Sequence, residues 1–131
     1  MSTETNKAIV QRWVTAVNEQ NLAEMDAVLA PDLAQEWKNE GLPWIYSTFG
    51  DHHVEITEML AEGDRVAVWC DTGGLHTGEF EGLPPTGRRW TNKGVFLLRF
   101  HEGKIAEARD LFDNLNLIKQ LGITITLATN Q

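Results

Sequence analysis

Near the end of the chain, two carboxylates and a guanidinium fall together in the run Arg109-Asp110-Leu111-Phe112-Asp113. A carboxylate among apolar neighbours has its charged form disfavoured. Its pKa rises, and it can take a proton from carbon and hand it on to oxygen. Leu111, Phe112 and Leu115 are such neighbours for Asp113. Strand alternation puts Asp110 and Phe112 on one face and Arg109, Leu111 and Asp113 on the other. An arginine facing Asp113 would lower its pKa and weaken it as a base. It would also offer a clamp for a substrate carboxylate or an enolate oxygen. Arg99 raises the same question on the neighbouring strand. The plainer alternatives are arginines solvated on a sheet face and an Asp113 that caps the following helix.

The other polar candidates are histidines. A neutral His76 could polarise a carbonyl, or it could pin the Gly82-Leu83-Pro84-Pro85-Thr86-Gly87 loop that follows; the structural role is favoured. His52, His53 and His101 read as loop or strand-end residues. No His, Cys and carboxylate spacing suits a metal, so no metal site is expected. The aromatic set is unusual, with five tryptophans and five phenylalanines against a single tyrosine. Core filler is the plain reading, and an aromatic-lined pocket for an apolar ligand is the sharper one. Tyr46 could donate to a ligand oxygen.

These residues need elements to position them. Ile9, Val10, Trp13, Val14 and Val17 mark one face of an amphipathic helix over 6–19. Asn21 and Glu24 form a capping box for a second helix, which Pro31 ends. Pro43 suits the first turn of a short third helix. The period then shortens. Val54–Met59, Arg65–Thr72, Leu75–Phe80, Arg88–Trp90, Lys93–His101 and Ile105–Leu111 read as strands joined by hairpins. Gly73 and Gly74 permit a bulge or bend. A helix over 114–121 ends at Gly122, and the tail 123–131 reads as an edge strand or a frayed end. Helices first and hairpins after make an α+β layer architecture.

The bulk numbers narrow the function. A chain of 131 residues suits one domain, 1–131, with a core that needs no disulfide or structural metal. The formal net charge of -8 repels phosphate backbones and anionic lipid, so neither nucleic acid nor membrane partners are expected. The single cysteine, Cys70, and an N-terminus without a signal-peptide core suit a cytoplasmic protein.

Two stretches carry a resemblance. His76-Thr77-Gly78-Glu79-Phe80-Glu81 runs into the 82–87 loop and Arg88. Farther on, Gly103-Lys104-Ile105 precedes Asp113-Asn114-Leu115-Asn116-Leu117-Ile118-Lys119-Gln120-Leu121-Gly122. In this order and spacing they resemble the SnoaL-like polyketide cyclases over nearly the whole chain. The resemblance implies a cone-shaped α+β barrel, with N-terminal helices packed on a curved antiparallel sheet around an apolar cleft. Ketosteroid isomerase, scytalone dehydratase and limonene epoxide hydrolase share this barrel. It further implies ring closure by intramolecular aldol condensation without metal or organic cofactor, a pocket aspartate as acid/base, a small apolar substrate and a homodimer.

Carried onto this chain, the catalytic role falls on Asp113, with Asp110 its rival and His76 and Arg109 as further candidates. Arg109 stands where many relatives have tryptophan. Trp13, Trp37, Trp44, Trp69 and Trp90 lie on elements that converge on the cleft in such a fold, with Trp37 and Trp44 at its mouth. With Tyr46 and Arg99 they make up the expected substrate-binding set. Two other functions compete. An epoxide hydrolase would need Asp71, Arg109 and Asp113 to meet around one water. A binder of small apolar molecules would use Asp113 only as a cap.

Overall fold

The computed structural model describes residues 2–124 and 126–128. Helix α1, Thr3–Glu19, is capped by Ser2, whose side chain accepts from the Thr5 amide, and it ends at Gln20 with φ 56°. Val10, Trp13, Ala16 and Val17 recur at helical spacing and are buried, so one stripe faces the sheet. Asn21 accepts from the Glu24 amide at the start of a 3-10 turn, Leu22–Glu24, which leads into α2, Met25–Val28.

Pro31 does not end this helix. The chain leaves it at Leu29, and Pro31 opens α3, Pro31–Glu36. Ala30 is extended, as the residue before a proline prefers, and the proline's fixed φ and missing N–H suit a first helical turn. A π-helical turn, Trp37–Gly41, then joins α3 to α4, Leu42–Thr48.

Four antiparallel strands follow: β1 Phe49–Glu62, β2 Arg65–His76, β3 Arg89–His101 and β4 Lys104–Phe112. Their spatial order is their chain order, and the sheet stays open at both edges. The β3–β4 turn is the expected pair, with Glu102 at φ 51° and Gly103 at φ 80°; two left-handed residues match the twist of a two-residue hairpin. Helix α5, Asn114–Gln120, closes the described fold. Of the tail read as an edge strand, residues 125 and 129–131 lie outside the described residues, and the described ones form neither helix nor strand.

A bulge does fall at Gly73-Gly74, with its extra residue on β1 and not on β2. Both glycines pair in register with β3, and the shift lies opposite them on β1, between Gly50 and His53. The glycines themselves serve close approach. A Cβ on Gly73 would come within 2.8 Å of the His53 ring, and one on Gly74 within 3.4 Å of both the His52 backbone and the Trp90 ring.

Alternation gives the sheet two faces. On the inner face Val66, Val68, Leu98, Phe100 and Ile105 pack against Val10, Trp13, Val17, Met25, Val28 and Leu29 to form the main core. A second cluster, Phe49, Phe80, Trp90, Leu117 and Leu121, forms at the far end. Between the two lies a cavity. Among the described residues no helix is long and apolar enough to cross a membrane.

Candidate active site

The cavity measures about 390 Å³, within the usual range for a small-molecule site. Its walls are mainly aromatic and aliphatic: Trp13 and Val17 from α1, Trp37 from the π-helical turn, Trp44 and Ile45 from α4, and Phe96 and Phe112 from the sheet. Trp13 packs edge-on against both Trp37 (5.2 Å) and Phe96 (5.1 Å), an arrangement aromatic rings favour because the positive edge of one meets the negative face of the other. The lining polar groups are His52, Thr72, Asn92, Asp110 and Asn114.

The strand registers order these groups. Phe96 pairs with Asp110 and Gly94 with Phe112, while Gly94 pairs with Cys70 and Asn92 with Thr72. Trp90 pairs with Gly74, which lies against His52. Asp110 thus stands near one end of the cleft, His52 and Trp90 at the other, and Asn92 with Thr72 between. Asp110 is the one carboxylate lining the cavity among the described residues, and it remains solvent-accessible. Its charge is one cause, after burial and Asp71, of a Cys70 thiol pushed up to about 11. Cys70 is buried and donates to the Gly94 carbonyl (3.6 Å), so it is not a thiolate nucleophile at neutral pH.

Asn92 is 5% exposed. Its side-chain oxygen accepts from Asn116 Nδ2 (3.4 Å), which leaves its amide hydrogens without a protein partner among the described residues. Asn116 lies in the first turn of α5, where its backbone N–H donates to Asp113 Oδ1 (3.1 Å). The cap therefore positions the helix that orients Asn92.

Asp113 itself is that cap, exposed and outside the cavity lining. Arg109 is exposed on the outer face, where it pairs with Leu97. Arg99 is also on that face, bonded to Glu107 at 3.1 Å; this partner raises the arginine's pKa and lowers the glutamate's. Asp71 is bonded to Lys93 (2.9 Å). With Asp71 and Arg109 on the outer face and Asp113 on α5, the three groups of an epoxide-opening cluster do not meet in the cleft.

His76 is fully buried. Its Nδ1 accepts from the Thr86 amide (3.2 Å) and lies 2.9 Å from the Thr86 hydroxyl, so it ties down the 82–87 loop. Tyr46 donates to the Val17 carbonyl (2.8 Å), tying α4 to α1, and burial raises its pKa. Trp13, Trp37, Trp44 and Trp90 line the cavity, whereas Trp69 faces outward. Sequence reasoning did not single out Asn92, Thr72, Phe96 or Asn114, named Phe112 only as an apolar neighbour of Asp113 and a face-mate of Asp110, and read His52 as a loop or strand-end residue. Alternation from Trp90 could have found Asn92 and Phe96. Among the described residues no three His, Cys, Asp or Glu side chains are grouped to hold a metal ion.

Helices laid over an open antiparallel sheet, with one carboxylate facing an aromatic cleft, describe a known class. The family model for SnoaL-like polyketide cyclase matches residues 7–121. The chain belongs to the SnoaL-like polyketide cyclase family. Among proteins of assigned activity, it is 34% identical over 80 residues to nogalonic acid methyl ester cyclase of Streptomyces nogalater, a match covering 60% of each chain. It is 35% identical over 80 residues to aklanonic acid methyl ester cyclase DnrD of Streptomyces peucetius, over 60% of this chain and 55% of that one. These matches therefore span less than two thirds of either relative. Of the solved structures, AclR from Streptomyces galilaeus superposes with a TM-score of 0.84 at 28% identity, over 97% of this chain and 91% of that one.

Proposed function

We propose that the protein is an enzyme that closes a ring in a polyketide ketone by intramolecular aldol addition, with Asp110 as the acid/base. The observation that carries this reading is that Asp110 is the one carboxylate on the cavity wall among the described residues, flanked by Phe96 and Phe112. The names of the relatives supply the substrate class.

In the first step Asp110 takes a proton from a carbon activated by adjacent carbonyls. The resulting enolate carbon attacks a second carbonyl carbon of the same molecule. A C–C bond forms, the C=O π bond becomes an alkoxide, and Asp110 returns the proton to that oxygen. Atoms balance without a co-reactant. A ligand filling the cleft would cover the accessible carboxylate and expel water, which strengthens the base just when it is needed. The free Asn92 amide can hold the carbonyl oxygen that becomes the alkoxide, since a preplaced donor stabilises charge as it develops.

The test is turnover of aklanonic acid methyl ester by purified protein. Asp110→Asn should lower ring closure by about 10³-fold or more, in the range for losing a positioned acid/base. Asp113→Asn should retain it, because asparagine also caps. The opposite ranking would move the chemistry to Asp113.

We also infer a homodimer built on the outer sheet face. Leu60, Trp69, Leu97 and Leu111 are exposed there and lie in adjacent rows of the sheet, forming an apolar patch of the kind that marks an interface. The single buried cysteine fits a cytoplasmic setting.

A further inference from the structure

The β1 bulge sets one side chain apart. Asp51 adopts φ 54°, a costly left-handed conformation for a residue with a Cβ. The Arg89 guanidinium bonds its carboxylate at the surface (3.2 Å). On the other side of the bulge, Val54 exchanges two 2.8 Å bonds with the Asn18 side chain of α1. Bulges of this kind re-aim side chains, and the one carried here is His52, which lines the cavity.

The ring is placed without being used by the protein. It stacks on Phe49 (6.5 Å, 23°) and lies 6.2 Å from Trp90. Its Nδ1 is buried without a partner. Nε2 has none among the described residues either; the histidine bond in this bulge belongs to His53. Burial first, and His53 second, push the pKa down to about 4, so the ring is neutral at pH 7 and carries one N–H. The tautomer with that proton on Nε2 leaves only a lone pair buried and offers the donor to the cavity.

We propose that His52 is a ligand-contacting residue that donates a hydrogen bond to a carbonyl or phenolic oxygen at the end of the cleft remote from Asp110. The strained bulge is retained because it aims this donor. The ligands selected are planar and apolar, with an oxygen on the edge away from the reacting carbon. This rests on the cavity holding such molecules, but not on Asp110 performing the chemistry.

Two probes of equal size and flatness isolate the contact: 9,10-anthraquinone, which carries two carbonyls, and anthracene, which carries none. Binding is read by quenching of tryptophan fluorescence in the intact protein and in two variants. His52→Phe keeps the ring packing and removes both nitrogens, whereas His52→Gln keeps an N–H donor. The native protein should prefer anthraquinone. His52→Phe should reduce that preference about five- to tenfold, as expected for one neutral hydrogen bond, and His52→Gln should restore part of it. Circular dichroism checks that both variants are folded; a merely structural role would not follow the presence of the donor. An unchanged preference in His52→Phe overturns the proposal, as does a native protein that binds both probes equally or neither. Failure of the cyclase reading shows separately, as Asp110→Asn closing the ring of aklanonic acid methyl ester as fast as the native protein.

Discussion

The two faces of one sheet are made from the same strands, yet they do opposite things with similar residues. On the inner face the polar groups are few, and the Trp13 and Trp90 indole N–H groups and His52 Nδ1 are buried on the cavity wall without partners. On the outer face Asp71 is bonded to Lys93 and Arg99 to Glu107, in the rows that flank the exposed apolar residues. An outer ion pair in water contributes little, whereas a buried donor without a partner costs about 1–3 kcal/mol. The inner face therefore carries a standing penalty that a ligand can relieve. That contrast separates Asp110 from Arg109, one residue away and on the opposite face.

The comparison breaks most visibly at low pH. His52 has a folded pKa of about 4 against an ordinary 6.5. The unfolded chain takes up the proton as pH falls through 6.5, and the folded chain resists until about 4. This residue therefore draws stability away as pH drops through that window, by up to about 3 kcal/mol. Urea unfolding at pH 7 and pH 4 should show the His52→Gln variant losing less stability than the native protein, by an amount of that order. Equal losses would mean that the ring is solvated and not set into the cavity wall.

A smaller effect should follow from Gly94→Ala. A Cβ at this inner-face position would fall within the ring of Phe112, which folds across the glycine and meets Phe96 edge-on at 5.5 Å. Either the ring leaves its place beside Asp110 or the strands part. Overpacking of this kind costs about 1–3 kcal/mol. The expected result is a lower thermal midpoint together with weaker anthraquinone binding. A variant that melts lower and binds normally would place the ring outside the binding wall.

Period-two alternation made much of this legible. It put Asp110 with Phe112 and Arg109 with Leu111, as the β3–β4 register does, whereas Asp113 lies past the strand end as the cap of α5. It could not say which face looks inward, because Leu97 and Leu111 on the outer face are as apolar as Leu98 and Phe112 on the inner. The resemblance drew attention to Asp113, whose local chemistry as a cap competes with any pocket role. His52 was hidden for a different reason. A bulge shifts the period by one residue, and its sign here is an Asp in a left-handed conformation, which that residue type tolerates better than most. Helix α3 was hidden because a proline can open a helix as readily as follow one.

The smallest effect on the folded chain, and the sharpest test of the contrast between faces, belongs to Trp69. It is 49% exposed and sits between Glu58 and Val95 in a row that ends at Leu111. In an isolated chain, Trp69→Glu removes half-buried ring contacts and sets like charges opposite each other, so the monomer should lose about 1 kcal/mol. It also places a charge at the centre of the apolar patch. If a second copy covers that patch, desolvating the new carboxylate opposes association. Sedimentation at increasing concentration should then find the variant monomeric where the native protein is dimeric, while each chain still binds anthraquinone. A native protein that stays monomeric at all concentrations would leave the outer face apolar for some other reason. An unchanged dimer in the variant would move the interface off this sheet.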